Sequence, residues 1–214
     1  MLDPKDFLPN YETELQISSD LIENEIEIFR DKWGIPHINA KNSKDLFFAQ
    51  GLTVSQDRLF QMDLDRLRCL GRSSEYLGSK AISNDKLNIK RNFELVAKSD
   101  LEKASSKARE MIQCFTKGVN FYMNSLSKLP LEYQLLNKEP EPWEDWHSIL
   151  VYKIRNAAEG SFNGKLFYSQ LASAIGPERA AKLIPGYLPG ALLTLPPGEI
   201  YSGEIENAIK ELSE

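Results

Sequence analysis

Two histidines, two cysteines and a scatter of serines are the residues through which this 214-residue chain could do nucleophilic chemistry. A Ser/His/Asp triad is arithmetically available from His37 or His147. No serine, however, sits in the G-x-S-x-G strand–turn–helix setting that exposes a nucleophile. His37 follows Pro36 in a short extended stretch, and His147 follows two tryptophans and an acidic pair, so both read as hydrogen-bonded structural histidines. Cys69 and Cys114 fall in separate helical patterns without metal-ligand spacing and read as buried thiols. The chain has no H-E-x-x-H, C-x-x-C, P-loop or G-x-G-x-x-G. It carries no self-sufficient catalytic constellation.

The densest set of charges lies instead in "LFFAQGLTVSQDRLFQMDLDRL" (46–67). At 100° per residue Leu59, Phe60, Leu67 and Leu70 share one helix face, while Asp57, Arg58, Asp65 and Arg68 gather opposite, for solvent or another layer to take. Asp63 falls within the apolar face and Arg66 at its border, three residues on and within reach. A carboxylate there is costly unless paired and hydrogen-bonded. Two accounts fit: a satisfied polar network that holds the helix in place, or groups lining an active site.

The elements that would position these groups follow from pattern. Ile22, Ile26 and Ile28 alternate with Glu23, Glu25 and Glu27, which predicts a hairpin over residues 21–40 with its turn at "RDKWG". Pro36 removes a ladder donor and belongs at an edge or at the start of the second strand. Helix begins after Asn42 or Ser43, with a kink at Gly51 and stops at Gly71 and Gly78. A second helical stretch covers residues 85–97. The clearest amphipathic helix spans 100–126, its face formed by Ala108, Met111, Ile112, Phe115, Val119, Tyr122 and Leu126. Residues 129–146 read as a Pro-punctuated loop, followed by helices at 148–158 and 165–174 and one opened by Pro177. A Pro/Gly-rich connector and a short helical tail close the chain. Two short strands make a poor sheet alone, so the hairpin calls for further strands.

A net charge of −5, from 26 basic and 31 acidic residues, argues against nucleic-acid and anionic-membrane partners. No apolar run approaches the roughly 20 residues of a membrane span. The opening "MLDPKDFLPNYETE" lacks the basic and apolar regions of a secretory leader, an expectation of a cytoplasmic protein as written.

Residues 26–78 resemble the opening of penicillin acylase α chains. The matching motifs are Arg30-Asp31, the Gly-hydrophobic-Pro-His-Ile run at 34–38, "DLFFAQGL" at 45–52, "SQDRLFQM" at 55–62 and the Gly71 to Leu77 segment. "KGVNFYMN", "LPLEYQLL", "EPWEDW" and "AIGPERAAKLIPGY" continue the likeness in order to residue 187. The resemblance implies an α+β fold: a mostly helical α chain lending its hairpin to the αββα sandwich of an N-terminal-nucleophile hydrolase. A β chain would complete that sandwich and supply the N-terminal serine, whose own amine serves as base. It implies an N-terminal extension over 1–20, the α-subunit region over 21–187, and a 188–214 end leading to an excised spacer. The function implied is hydrolysis of an acyl amide of the penicillin, cephalosporin or acyl-homoserine lactone type, with no catalytic residue in this chain. By the same likeness the protein would be periplasmic or secreted where Met1 is not native, and Asp57, Arg58, Asp63 and Arg66 would pair across the subunit interface as well as within the helix.

Within that frame Asn156, Glu159 and Phe162 are the expected substrate-binding residues, forming one wall of the acyl pocket. Phe162 reads equally as ordinary core. A charged Arg155 or Glu159 there would favour polar acyl groups over benzyl ones. Family members place a calcium-ligating glutamate just after this turn, where this chain has Lys165. An ammonium offers no oxygen to a hard cation, so calcium is doubtful as a cofactor. The rival class is a non-catalytic helical interaction protein retaining the α-chain fold; a self-contained serine hydrolase built on His37 or His147 is the third.

Overall fold

The computed structural model describes residues 20–159 and 162–183, in two compact units divided after Gly160. All but Asp20 of the expected 1–20 extension, the 188–214 end and the tail helix lie outside the described residues. The first unit opens with strands β1 (Glu27–Arg30) and β2 (Pro36–Asn39), paired antiparallel with Ile28 opposite Ile38 and Phe29 opposite His37. It continues through helices α1 (Ser43–Leu70), α2 (Ser74–Leu77), α3 (Ile82–Arg91), α4 (Phe93–Lys103), α5 (Ser106–Ser125), α6 (Leu131–Leu136) and α7 (Asp145–Glu159). The second unit contains α8 (Phe162–Ile175) and α9 (Pro177–Leu183). The architecture is α+β: mostly helical, with one two-stranded sheet among the described residues.

The strands are shorter than the alternation from Ile22 suggests. The Asp45 carboxylate, fully buried, accepts the backbone N–H of Glu23 at 2.8 Å and of Asn24 at 3.0 Å. Donors that would extend β1 are therefore committed to the start of α1. Pro36 stands at the first position of β2, where its missing N–H costs nothing. Arg30 ties the hairpin to α1, donating to Asp57 at 2.9 Å and Gln56 at 3.1 Å.

Helix α1 starts where Asn42 caps it, the side-chain oxygen accepting from Asp45 N at 2.8 Å. It stops at Gly71, held at φ +70°, a conformation open to a residue without Cβ. The kink expected at Gly51 is at Arg58 instead, where φ is −139° and ψ 19°. Thr53 and Ser55, one turn before, bond back to the carbonyls of Ala49 and Gly51, a pattern that bends helices. Gly51 serves a different purpose. A Cβ there would lie 2.1 Å from the Phe115 carbonyl oxygen, and one at Gly118 would lie 2.0 Å from that of Phe48. The backbones of α1 and α5 thus touch, a crossing only glycines permit.

Three further expectations are corrected. The helix over 85–97 is two helices, broken at Asn92, whose φ of 50° suits an asparagine cap. The amphipathic helix starts at Ser106 rather than 100, because Ser105 caps it through Ala108 N and residues 100–103 complete α4. The Trp-bearing loop contains α6, anchored by a fully buried Tyr133. In the second unit Pro177 opens α9, and Gly176 before it takes φ +88°.

Gly118→Ala is expected to destabilise the protein by about 3 kcal/mol, because its Cβ meets backbone that cannot rotate away; a drop in the denaturant midpoint with unchanged slope checks this.

Candidate functional site

Helix α7 carries most of the expected pocket wall, and a polar network holds it from below. Arg66 of α1 is 2% exposed. Its Nε and Nη2 donate to Asp63 Oδ1 at 3.0 and 2.6 Å, and its Nη1 donates to Glu141 at 2.7 Å. Asp63 Oδ2 accepts the hydroxyls of Tyr76 at 2.8 Å and Tyr133 at 3.1 Å. Arg72 adds two donors to Glu141, at 2.7 and 3.1 Å. The bonds from Arg72, then those from Arg66, hold the Glu141 carboxyl down to about 2 against desolvation. Burial first, and the Asp63 charge second, push the Tyr133 hydroxyl well up, so it stays a donor. The unusual polarity of α1 is thus a satisfied structural network among the described residues.

Glu141 leads directly into the segment that aims α7. Asn120 of α5 clasps Trp143 by both its N–H and its carbonyl, each at 2.8 Å. His147 Nδ1 accepts the Glu144 N–H at 2.9 Å, and the ring lies between Trp143 and Trp146. From there Trp146, Leu150 and Ile154 repeat every four residues and pack on Ala97 and Cys69. Tyr152, Arg155 and Asn156 are left on the outside.

The expected site residues fall as follows. Asn156 is exposed, its amide donating to the Tyr152 carbonyl at 2.9 Å. Glu159 ends α7 and Phe162 begins α8; the side chains of both lie outside the described residues. Asn156 and Glu159 therefore stand one turn apart on one helix, while Phe162 and Lys165 open the second unit. Lys165 is exposed, and its ammonium does not fit a calcium ligand. Among the described residues no three His, Cys, Asp or Glu side chains cluster as a metal site. Two features escaped the sequence reading. Tyr152 is 65% exposed one turn before Asn156, which its spacing could have shown. Asp65, buried, receives Arg68 of its own helix at 2.9 Å and Arg155 of α7 at 2.5 Å, the latter a pairing between helices that no local signal reveals.

Among the described residues the histidines and cysteines are held as follows. Burial holds His147 down to about 3, and its Nδ1 lone pair is already engaged. His37 is stacked on Phe29 at 4.7 Å and faces Asp31. Burial, then the neighbouring Asp65 charge, push the Cys69 thiol up to about 12, and burial also raises Cys114. Among the described residues neither histidine is hydrogen-bonded to a serine, threonine or cysteine.

Asp63→Ala is expected to cost roughly 3–5 kcal/mol in urea unfolding, because Arg66 loses its buried partner. His147 is neutral in the folded state and binds a proton more readily unfolded, so its stability contribution is complete above pH 6.5 and is lost as pH falls toward 3. Between pH 6.5 and 4.5 the unfolding free energy should fall with a slope that His147→Asn reduces by up to one proton, about 1.4 kcal/mol per pH unit.

Residues 25–203 match the family model described as penicillin amidase. Penicillin acylase 2 proenzyme of Pseudomonas sp. strain SE83 is 41% identical over 175 residues, covering 81% of this chain and 22% of that protein. The acyl-homoserine lactone acylase QuiP of Pseudomonas syringae pv. tomato is 30% identical over 169 residues, covering 76% and 20%. The chain thus spans about a fifth of the length of these curated relatives. A thermostable penicillin G acylase from Alcaligenes faecalis shares the fold with a TM-score of 0.62 at 24% identity, over 80% of this chain and 97% of that one. A match through most of its length, together with this fold, means that the chain belongs to the penicillin amidase family.

Proposed function

We propose that this chain is the α-type portion of an amide hydrolase that releases an acyl group from a small-molecule amide, and that it forms a wall of the acyl pocket while a second polypeptide brings an N-terminal nucleophile. The observation that carries this reading is the 41% identity to a protein named a penicillin acylase proenzyme. The likeness to an acyl-homoserine lactone acylase widens the substrate class to acyl amides in general. Two structural features support the division of labour. The His and Cys side chains are buried, stacked or charge-suppressed rather than poised to react. The hairpin exposes Phe29 in β1 and Trp33 and Ile35 in its turn, apolar groups that a second polypeptide would cover in an αββα sandwich.

The chemistry asked of this chain is positioning. The outer face of α7, with Tyr152 and Asn156, and the residues Glu159 and Phe162 would line the acyl side chain. The α1 network keeps α7 from shifting, and a misplacement of about 1 Å would cost on the order of a hundredfold in rate. The nucleophile's own amine would take the hydroxyl proton, so no histidine is needed.

Co-expressing this chain with the remaining polypeptide, and assaying phenylacetyl, aliphatic and carboxylated acyl amides, tests the reading. The assembled protein should cleave at least one class, and this chain by itself should cleave none. Asn156→Leu should raise KM for the preferred acyl amide by about three- to tenfold with little change in kcat, the effect of one lost hydrogen bond in binding. Equal hydrolysis by this chain alone would overturn the proposal.

A further inference from the structure

Residues 143–148 are bonded among themselves into one stiff piece. The Glu144 N–H donates to His147 Nδ1 at 2.9 Å, the Trp143 indole donates to Ser148 Oγ at 3.1 Å, and the Trp146 indole donates to the Glu144 carboxylate at 2.9 Å. These bonds join the first turn of α7 to its own lead-in, but none of them fixes where that piece stands. Trp143 is buried, so its backbone groups need partners within the protein. Asn120 of α5 supplies both. Its amide accepts the Trp143 N–H and donates to the Trp143 carbonyl, each at 2.8 Å, as a paired strand residue would. Asn120 lies two residues beyond Gly118, where α5 meets α1 backbone to backbone. The root of α7 is thereby referred to that contact.

The other ties on α7 are of a different kind. The packing of Trp146, Leu150 and Ile154 is non-directional. Lys153 to Asp100 and Arg155 to Asp65 run through long side chains that can follow a small shift. A short amide that holds both backbone groups of one residue cannot. From Asp145 to Asn156 the helix runs about 16 Å, at 1.5 Å per residue. A tilt of about 5° at the root would carry Asn156 by about 1.4 Å, close to the length that one methylene adds to a chain. We infer that Asn120 is a positioning residue for acyl-chain length: acting through Trp143, it sets where the outer face of α7 stands and so how long an acyl group the wall admits. The inference rests on the pocket-wall role proposed above for Tyr152 and Asn156.

Asn120→Asp provides the test, because protonation switches the grip. As the acid, the side chain accepts the Trp143 N–H and donates its O–H to the Trp143 carbonyl, reproducing both bonds. As the carboxylate, it has no proton to donate and sets an oxygen against that carbonyl. The protein assembled from both polypeptides is assayed for kcat/KM over linear acyl amides lengthened one methylene at a time, at pH 8 and pH 4.5. Asn120→Ala and Ile154→Val are assayed beside it. Ratios between chain lengths cancel the protonation of the nucleophile, which every substrate meets alike. At pH 8 both Asn120 variants should lose about tenfold of the preferred chain's lead over its neighbours, the worth of one methylene in an apolar pocket. At pH 4.5 Asn120→Asp should regain the wild-type profile and Asn120→Ala should not. Ile154→Val, which loosens packing without touching the grip, should keep that profile throughout. An unchanged profile in the Asn120 variants, an equal change in Ile154→Val, or no recovery of Asn120→Asp at low pH overturns the inference. Should Asn120→Ala fail to assemble, Asn120→Asp decides alone. Amide hydrogen exchange separates this inference from the function. At pH 8 the α7 amides of the Asn120 variants should exchange about tenfold faster, with those of α5 unchanged. That result in a protein that cleaves no acyl amide upholds the grip and refutes the function. Hydrolysis with unaltered profiles keeps the function and refutes the positioning.

Discussion

Arg66 is the group on which the arrangement turns. A guanidinium taken out of water must be met by acceptors, and the chain meets it from its own helix and from a segment 75 residues on. Asp63 comes from its own helix, Glu141 from the segment before α7, and Tyr76 and Tyr133 close the far side of Asp63. Because each partner is itself committed, α1, α2, α6 and the entry to α7 cannot move independently. The network locates the parts more than it stabilises the whole, since the desolvation of such ions offsets much of their attraction.

That location matters because α7 has two opposed faces. Its inner face is clamped through Trp146, Leu150 and Ile154, and its first turn is held by Asn120 and by a neutral His147. The outer face is free to meet another molecule. A rigid helix with a polar, exposed outer face is what the positioning role proposed for it requires, since displacement there matters more than intrinsic reactivity. The Asp65–Arg155 bridge adds a second tie between α1 and α7 and holds Arg155 close to the exposed face.

Much of the framework was legible in residues that act locally. Asn42 and Gly71 bound α1, Pro36 and Pro177 open their elements, and the Ile/Glu alternation marks the buried side of the hairpin. The Asp63–Arg66 pairing also followed from helical spacing. Its closing partners did not, since Glu141 and Tyr133 lie more than 65 residues away. The same limit misplaced the kink and misread Gly51, whose absent side chain answers to a helix 64 residues on. Of the candidate site, the family motifs pointed to α7 and the turn after it, and helical spacing could have shown Tyr152, whereas the Arg155 tether emerged only from the packed helix.

By itself, then, the order of residues determined the helical character, the caps and breaks set by Asn, Gly and Pro, and the family to which the chain belongs. These depend on dihedral preference and on spacing within a turn or two. Tertiary structure alone decided the approach of α1 to α5, the grip of Asn120 on the root of α7, and the burial of His147 and Cys69. Each of those depends on what a distant segment places beside a group: a carbonyl that leaves no room for a Cβ, a side-chain amide that meets both backbone groups of one residue, or a wall of side chains that excludes water.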